Sequence, residues 1–147
     1  MGLFSGIGDA QVGQGGVYFL PGEYVVEIIK CFTMRSRKRE DLFIAECLIK
    51  ESNNPERRPG SKASWVVNFK QDAALGNIKG FVAACSGISP SNQKAVDAEV
   101  DEESCEYAVD DDNPLAGTLL SLSAVNKITR AGNDFTLHMW EPYDGPA

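Results

Sequence analysis

Apolar residues recur along this chain with two different periods, and each change of period marks a new element. Tyr24-Val25-Val26-Glu27-Ile28-Ile29-Lys30-Cys31-Phe32 reads as a first strand. Its polar residues Glu27 and Lys30 differ in parity, which a regular strand with one wet face does not allow, so a bulge is expected between them. Leu42 to Lys50 reads as a second strand, with Glu46 and Lys50 on one parity. The two runs form a hairpin closing near Arg37 and Lys38, an arrangement in which Lys30 is able to face Glu46. Ser52-Asn53-Asn54-Pro55 and Pro59-Gly60 mark a loop, after which Ala63 to Lys70 alternates Trp65, Val67 and Phe69 with Ser64, Val66, Asn68 and Lys70 as a third strand. The period then lengthens. Asp72 is placed to cap a helix in which Leu75, Ile78, Val82 and Cys85 fall at helical spacing, and Gly87 is placed to end it. A weaker helical pattern runs from Ala95 to Val109, with Val96, Val100 and Tyr107 as its apolar side. Thr118 to Ile128 and Phe135 to Trp140 read as strands four and five around a turn at Arg130 to Asp134.

The expected fold is therefore mainly β, with a helical insert at about 72–113. Five strands with helices between the third and fourth is the order of an OB-fold barrel, and an α+β sandwich is the alternative. Val17 to Leu20 suggests a further short strand, turned by Pro21-Gly22. The first 16 residues are rich in Gly with little periodicity and are expected to form a flexible arm, leaving 17–147 as a single OB-like domain. A length of 147 residues suits one core. No run approaches the ~20 apolar residues of a membrane span, and the start lacks the basic and apolar regions of a signal peptide, so a cytoplasmic protein without membrane contact is expected.

Charge changes this picture more than composition does. The net charge is −7, which argues at first against a polyanion as partner. Yet residues 30–70 hold ten cations against five anions, and residues 71–117 hold two cations against ten anions. The molecule is electrically two-sided, and its basic part decides where a polyanion docks. At its centre is a basic knuckle, Arg35-Ser36-Arg37-Lys38-Arg39, at the tip of the first hairpin. Crowded like charges repel, a cost that a nucleic-acid backbone removes. The competing reading is a soluble turn.

Cys31, Cys47, Cys85 and Cys105 show none of the short pair spacings of zinc or redox motifs, and His138 is the only histidine. Reduced, partly buried thiols and no metal or other cofactor are expected. No phosphate-binding loop motif is present, the acids cluster in one run, and His138 falls within a strand, so no catalytic function is assigned.

An OB barrel binds oligonucleotides or oligosaccharides on the face of strands two and three, between the loops joining strands one to two and four to five. Both loops are basic here: Arg35, Arg37, Lys38 and Arg39 lie in the first, and Lys127 and Arg130 lie at the second. Lys50, Arg57, Arg58 and Lys62 add cations around the connection from strand two to three. Single strands need aromatic faces as well as cations, at about 1–3 kcal/mol per stacked base. Trp65 is the leading candidate, with Phe32, Phe43 and Phe69 as further ones. For each the competing reading is core packing.

Pro21-Gly22-Glu23-Tyr24, Asn77-Ile78-Lys79, and Leu115-Ala116-Gly117 followed by Phe135 and Trp140 give the chain its family likeness. Over Val17 to Trp140 it resembles phage-encoded single-stranded-DNA-binding proteins of the OB-fold type. The resemblance implies a protein that coats exposed strands in phage replication or recombination, in the host cytoplasm, with replication or recombination proteins as partners and oligomers allowed. RNA is the alternative ligand. Many such proteins carry an acidic tail that recruits partners, but Glu141 to Ala147 is short and only mildly acidic, while the dense acid lies internally at Asp97 to Asp112. The alternative function is a protein-interaction module, a virion component or host-defence antagonist, acting through that acidic insert.

Overall fold

The computed structural model describes residues 18–128, 130–132 and 134–143. The Gly-rich segment at 1–16, Val17 at the start of the expected short strand, Thr129 and Asn133 around the last turn, and the end of the chain from Asp144 lie outside them. The strands are β1 (Gly22–Arg35), β2 (Asp41–Ser52), β3 (Lys62–Asn68), β4 (Leu119–Ile128) and β5 (Asp134–Pro142). Three helices, α1 (Ala74–Cys85), α2 (Gln93–Glu99) and α3 (Glu102–Ala108), fall between β3 and β4. The strands form one sheet in the order β3-β2-β1-β4-β5, and every neighbouring pair is antiparallel. It follows that the two edge strands, β3 and β5, run in the same direction.

The bulge expected in β1 is present. The pairing with β2 shifts between Ile28 and Lys30, so Tyr24, Val26, Ile28 and Cys31 all reach the core while Lys30 and Phe32 turn outward. Lys30 pairs with Glu46. The extra residue leaves the Ile29 carbonyl outside the ladder, and the Asn113 side chain fills the gap by donating its Nδ2–H at 2.6 Å. Asn113 holds a left-handed φ of 55°, a conformation Asn tolerates better than most residues. Ile28, one residue earlier, exchanges backbone hydrogen bonds with Gly117 and Thr118 at 2.8 Å each, which leads the chain into β4.

The inner face of the sheet carries Phe43, Ala45, Cys47 and Ile49 from β2 and Ala63, Trp65 and Val67 from β3. Helix α1 packs against β3, β4 and β5, and Phe81 stands among Phe43, Trp65 and Trp140 with ring centroids 4.9–5.8 Å apart. Its end follows from Gly87 at φ 84°: Gly87 N–H donates to Ala84 and Ile88 N–H to Ala83, the paired bonds of a Schellman cap. Its start differs from expectation, because Ala73 takes the N-cap place without a side-chain bond. The second helix is in fact two. Val100 is extended and Asp101 restarts the helix with a capping box to Ser104, since a buried Val100 and a capped Asp101 satisfy the chain better than one continuous turn. All four cysteines are free thiols, and burial pushes Cys31 up to about 12. No described helix is long and apolar enough to cross a membrane.

The expected closed barrel is not formed. The sheet curls far enough for Trp65 on β3 to meet Trp140 on β5 at 5.3 Å, yet no β3–β5 ladder exists among the described residues. The segment at Tyr18 and Phe19 holds the two edges apart. Tyr18 makes a parallel bridge to Ser64 on β3, while the Phe19 ring lies 6.3 Å from His138 and 6.2 Å from Trp140 on β5.

Two predictions follow from this packing. His138 is partly buried against Phe19 and Trp65, and burial lowers its pKa from 6.5 to about 4. Between those values the unfolded chain holds a proton that the folded one does not, so stability is lost as pH falls through that window, by about 3 kcal/mol in all. Denaturation from pH 7 to 4 should be flatter in His138→Gln than in wild type; equal slopes would contradict the assignment. Asn113→Ala loses both the bond to Ile29 and a tolerated φ, and should cost about 1–3 kcal/mol. Asn113→Gly, free of the φ penalty, should cost less in the same denaturant titration.

Candidate nucleic-acid interface

The bulge gives the outer face of β1, β2 and β3 its composition. Across the three strands the ladders set out four rows: Glu27–Leu48–Lys62, Lys30–Glu46–Ser64, Phe32–Ile44–Val66 and Met34–Leu42–Asn68. The middle of this face is apolar and its margins carry cations. The Lys30 ammonium sits 5.3 Å from the centre of the half-buried Phe32 ring, and Lys50 makes a 3.7 Å ion pair with Glu27. Lys30 was not among the sequence candidates. Its signal was its shared parity with Phe32 beyond the bulge.

The rows run into the basic turn. Ser36 N–H donates to Glu40 and Arg39 N–H donates back to Ser36, which closes a tight turn on Arg37, Lys38 and Arg39. Arg39 holds a φ of 60°, where Gly or Asn is the usual residue. The local carboxylates are engaged: Asp41 meets Arg35 at 3.4 Å, and Glu40 meets Lys70 at 3.1 Å and accepts from Asn68. The Lys70 ammonium, through its hydrogen bond, holds the Glu40 carboxyl below its ordinary pKa. Exposed pairs of this kind contribute about 0–1 kcal/mol, so exchanging a carboxylate for a phosphate costs little. Phe69 sits beside Arg35 and Asp41 with 37% of its surface exposed.

Two sequence expectations need correction. Trp65 and Phe43 belong to the inner face, where they are 5% and 2% exposed, so neither presents a ring for stacking on the outer face. Strand alternation is the cause, since Trp65 and Phe43 share parity with buried Val67 and Ala45. The two basic loops lie at opposite ends of β1. Gly22 pairs with Ala124, so β4 leads its loop to the start of β1, whereas the basic turn lies at the other end of this 14-residue strand, roughly 45 Å along its contour at ~3.3 Å per residue.

The remaining cations gather at that far end. Arg57 donates from Nε to the Tyr18 carbonyl at 2.7 Å, Arg58 donates to Pro55, Lys62 opens β3, and Lys127 pairs across the ladder with Phe135, next to the loop holding Arg130. Between β3 and β5 is a cleft of about 720 Å³ that extends from Ser64 to the start of α1.

Much of the acidic insert serves its own helices. Asp97 accepts from Lys79 at 2.6 Å and from Gln93, and those bonds lower its pKa; Asp101 accepts from Ser104, which lowers its pKa too. Glu102 and Glu103 lie in the first turn of α3, where the helix dipole favours negative charge. Among the described residues no three metal-ligating side chains converge.

The strain at Arg39 generates a prediction of its own. Arg39→Gly removes a penalty of roughly 1–2 kcal/mol at the cost of a more flexible unfolded chain, so it should raise stability by up to about 1 kcal/mol in denaturant titration. A loss of stability would mean that the Arg39 side chain supports the turn.

No family model matches the chain and no curated protein matches it in sequence, so the interface rests on its geometry.

Proposed function

We propose that this is a non-catalytic single-stranded-DNA-binding protein that takes its ligand along the outer face of β1–β3 and over the basic turn. The observation that carries the reading is the Lys30–Phe32 pair on an apolar sheet face that ends in Arg35, Arg37, Lys38 and Arg39. A cation over an exposed ring contributes about 0.5–1 kcal/mol, and a stacked base about 1–3 kcal/mol. A base therefore displaces Lys30 from Phe32 at a net gain, and Lys30 turns to a phosphate. Single strands fit this face better than duplex, because duplex bases offer no free ring to stack.

We read the sheet as OB-like, a barrel of that topology left open at its last seam. The strand order and the shared direction of β3 and β5 support that reading, and the outer face of strands two and three is where such folds bind oligonucleotides. With the resemblance to phage proteins, it suggests a role in coating strands exposed during replication or recombination, in the cytoplasm of an infected host. The acidic insert is the weaker candidate for the active surface, because Asp97, Asp101, Glu102 and Glu103 have structural duties.

Salt titration tests this proposal. Each phosphate contact lowers log affinity by ~0.7 per unit of log salt on a single strand. The triple change of Arg37, Lys38 and Arg39 to Ala should flatten that slope and weaken binding on all sequences, with folding unchanged, since surface substitutions usually shift stability by about 0.5 kcal/mol or less. Phe32→Ala should weaken binding with little change in slope. Arg39→Gly should bind more weakly although it is the more stable protein. Wild-type affinity and slope in the folded triple variant would remove the turn from the interface.

A further inference from the structure

The cleft between β3 and β5, which pair with each other nowhere among the described residues, is a site of a different kind from the open sheet face. Five aromatic rings line it: Tyr18 and Phe19 at one end, Trp65 from β3, and Phe135 and His138 from β5. Trp65 and Phe19 are almost wholly buried and form its inner wall, whereas Tyr18 and Phe135 stand 49% and 44% exposed. Side-chain amides of Asn77 and Gln71 lie on its helical side together with the Asp72 carboxylate, the one charged group in the lining. Its volume of about 720 Å³ falls within the roughly 300–1,000 Å³ of small-ligand sites.

Three cations lie on residues next to the lining, none of them in it. Arg57 is hydrogen-bonded to the backbone of Tyr18, Lys62 lies two residues before Ser64 in the cleft wall, and Lys127 is the cross-strand partner of Phe135. Partly exposed rings from both sides of the cleft, amides with both donors and acceptors, and cations on neighbouring residues match one chemical class of ligand, a nucleobase carried on a phosphate backbone.

We propose that this cleft is a base pocket, which takes one unstacked nucleobase between Tyr18 and Phe135 while Arg57, Lys62 and Lys127 hold the adjoining phosphates. The inference rests on the single-strand reading, and it adds a second site at the edge of β3, where a strand crossing the outer face arrives after Val66. The backbone of Val66 points the same way. Phe69 N–H bonds to Asp41 on β2, so the odd-numbered residues of β3 turn their backbone groups to β2 and Val66 turns its own to the open edge. A base edge or its sugar can use those groups.

His138 is the only histidine in the chain, so its imidazole signal in NMR reports on the cleft alone. The experiment titrates the full protein with a short single-stranded deoxyoligonucleotide, and separately with the same backbone made abasic. The His138 signal should shift with the first and stay still with the second. Phe135→Ala, at an exposed position, should lower oligonucleotide affinity by about fivefold or more and abolish the shift, leaving the salt slope close to that of wild type. An unmoved His138 signal in a complex that still forms overturns the base pocket and leaves the outer-face reading standing. Absence of any oligonucleotide binding overturns both. A shift produced by aromatic peptides at lower concentration than by the oligonucleotide assigns the cleft to a protein partner and also overturns the proposal.

Discussion

One extra residue in β1 organises the rest of the molecule. Without the bulge at Ile28 to Lys30, the parity set by Tyr24, Val26 and Ile28 would carry Lys30 and Phe32 into the core and turn Cys31 to solvent. Burying an unpaired ammonium costs far more than a local break in the ladder, so the bulge is the cheaper solution. It also leaves the Ile29 carbonyl as an anchor for Asn113 at the end of the acidic insert. The same irregularity thus creates the outer face and ties down the end of the insert where the chain enters β4.

Much of this was legible because it depends on local pattern. The conflicting parity of Glu27 and Lys30 pointed to a bulge, a hairpin closing near Arg37 and Lys38 allowed the Lys30–Glu46 pair, and the helix carrying Ile78 and Val82 ended at Gly87 as expected, although Leu75 on the same spacing is exposed. What was not legible depends on contacts between distant segments. Tyr18 and Phe19 hold open a seam that strand order alone suggests is closed, and nothing in their own sequence names Ser64 or Trp140 as neighbours. Val96 and Val100 keep helical spacing across the break between α2 and α3, so periodicity runs on where the backbone does not. The placement of the two basic loops is non-local in the same way. Loop composition identified Arg35 to Arg39 and Lys127 to Arg130 as basic, but only the ladders reveal that β1 separates them.

The resulting charge distribution reconciles an acidic protein with the polyanionic ligand proposed for it. In the insert, the acids at Asp97 and Asp101 are held in hydrogen bonds, while the cations lie on sheet margins and turns. At ~0.15 M salt, where screening acts over about 8 Å, the ligand responds to the charges it touches rather than to the total. A net charge of −7 is then compatible with tight local binding, and it disfavours non-specific contact elsewhere on the surface.

The central claim is that a single strand lies on the outer face of β1–β3, and backbone amide chemical shifts test it most directly. Adding a short single-stranded deoxyoligonucleotide should move the amide signals of Lys30 to Leu42 and of Ser64 to Asn68, and leave those of Gln93 to Ala108 in place. Shifts confined to the acidic insert, or none at saturating oligonucleotide, would contradict it.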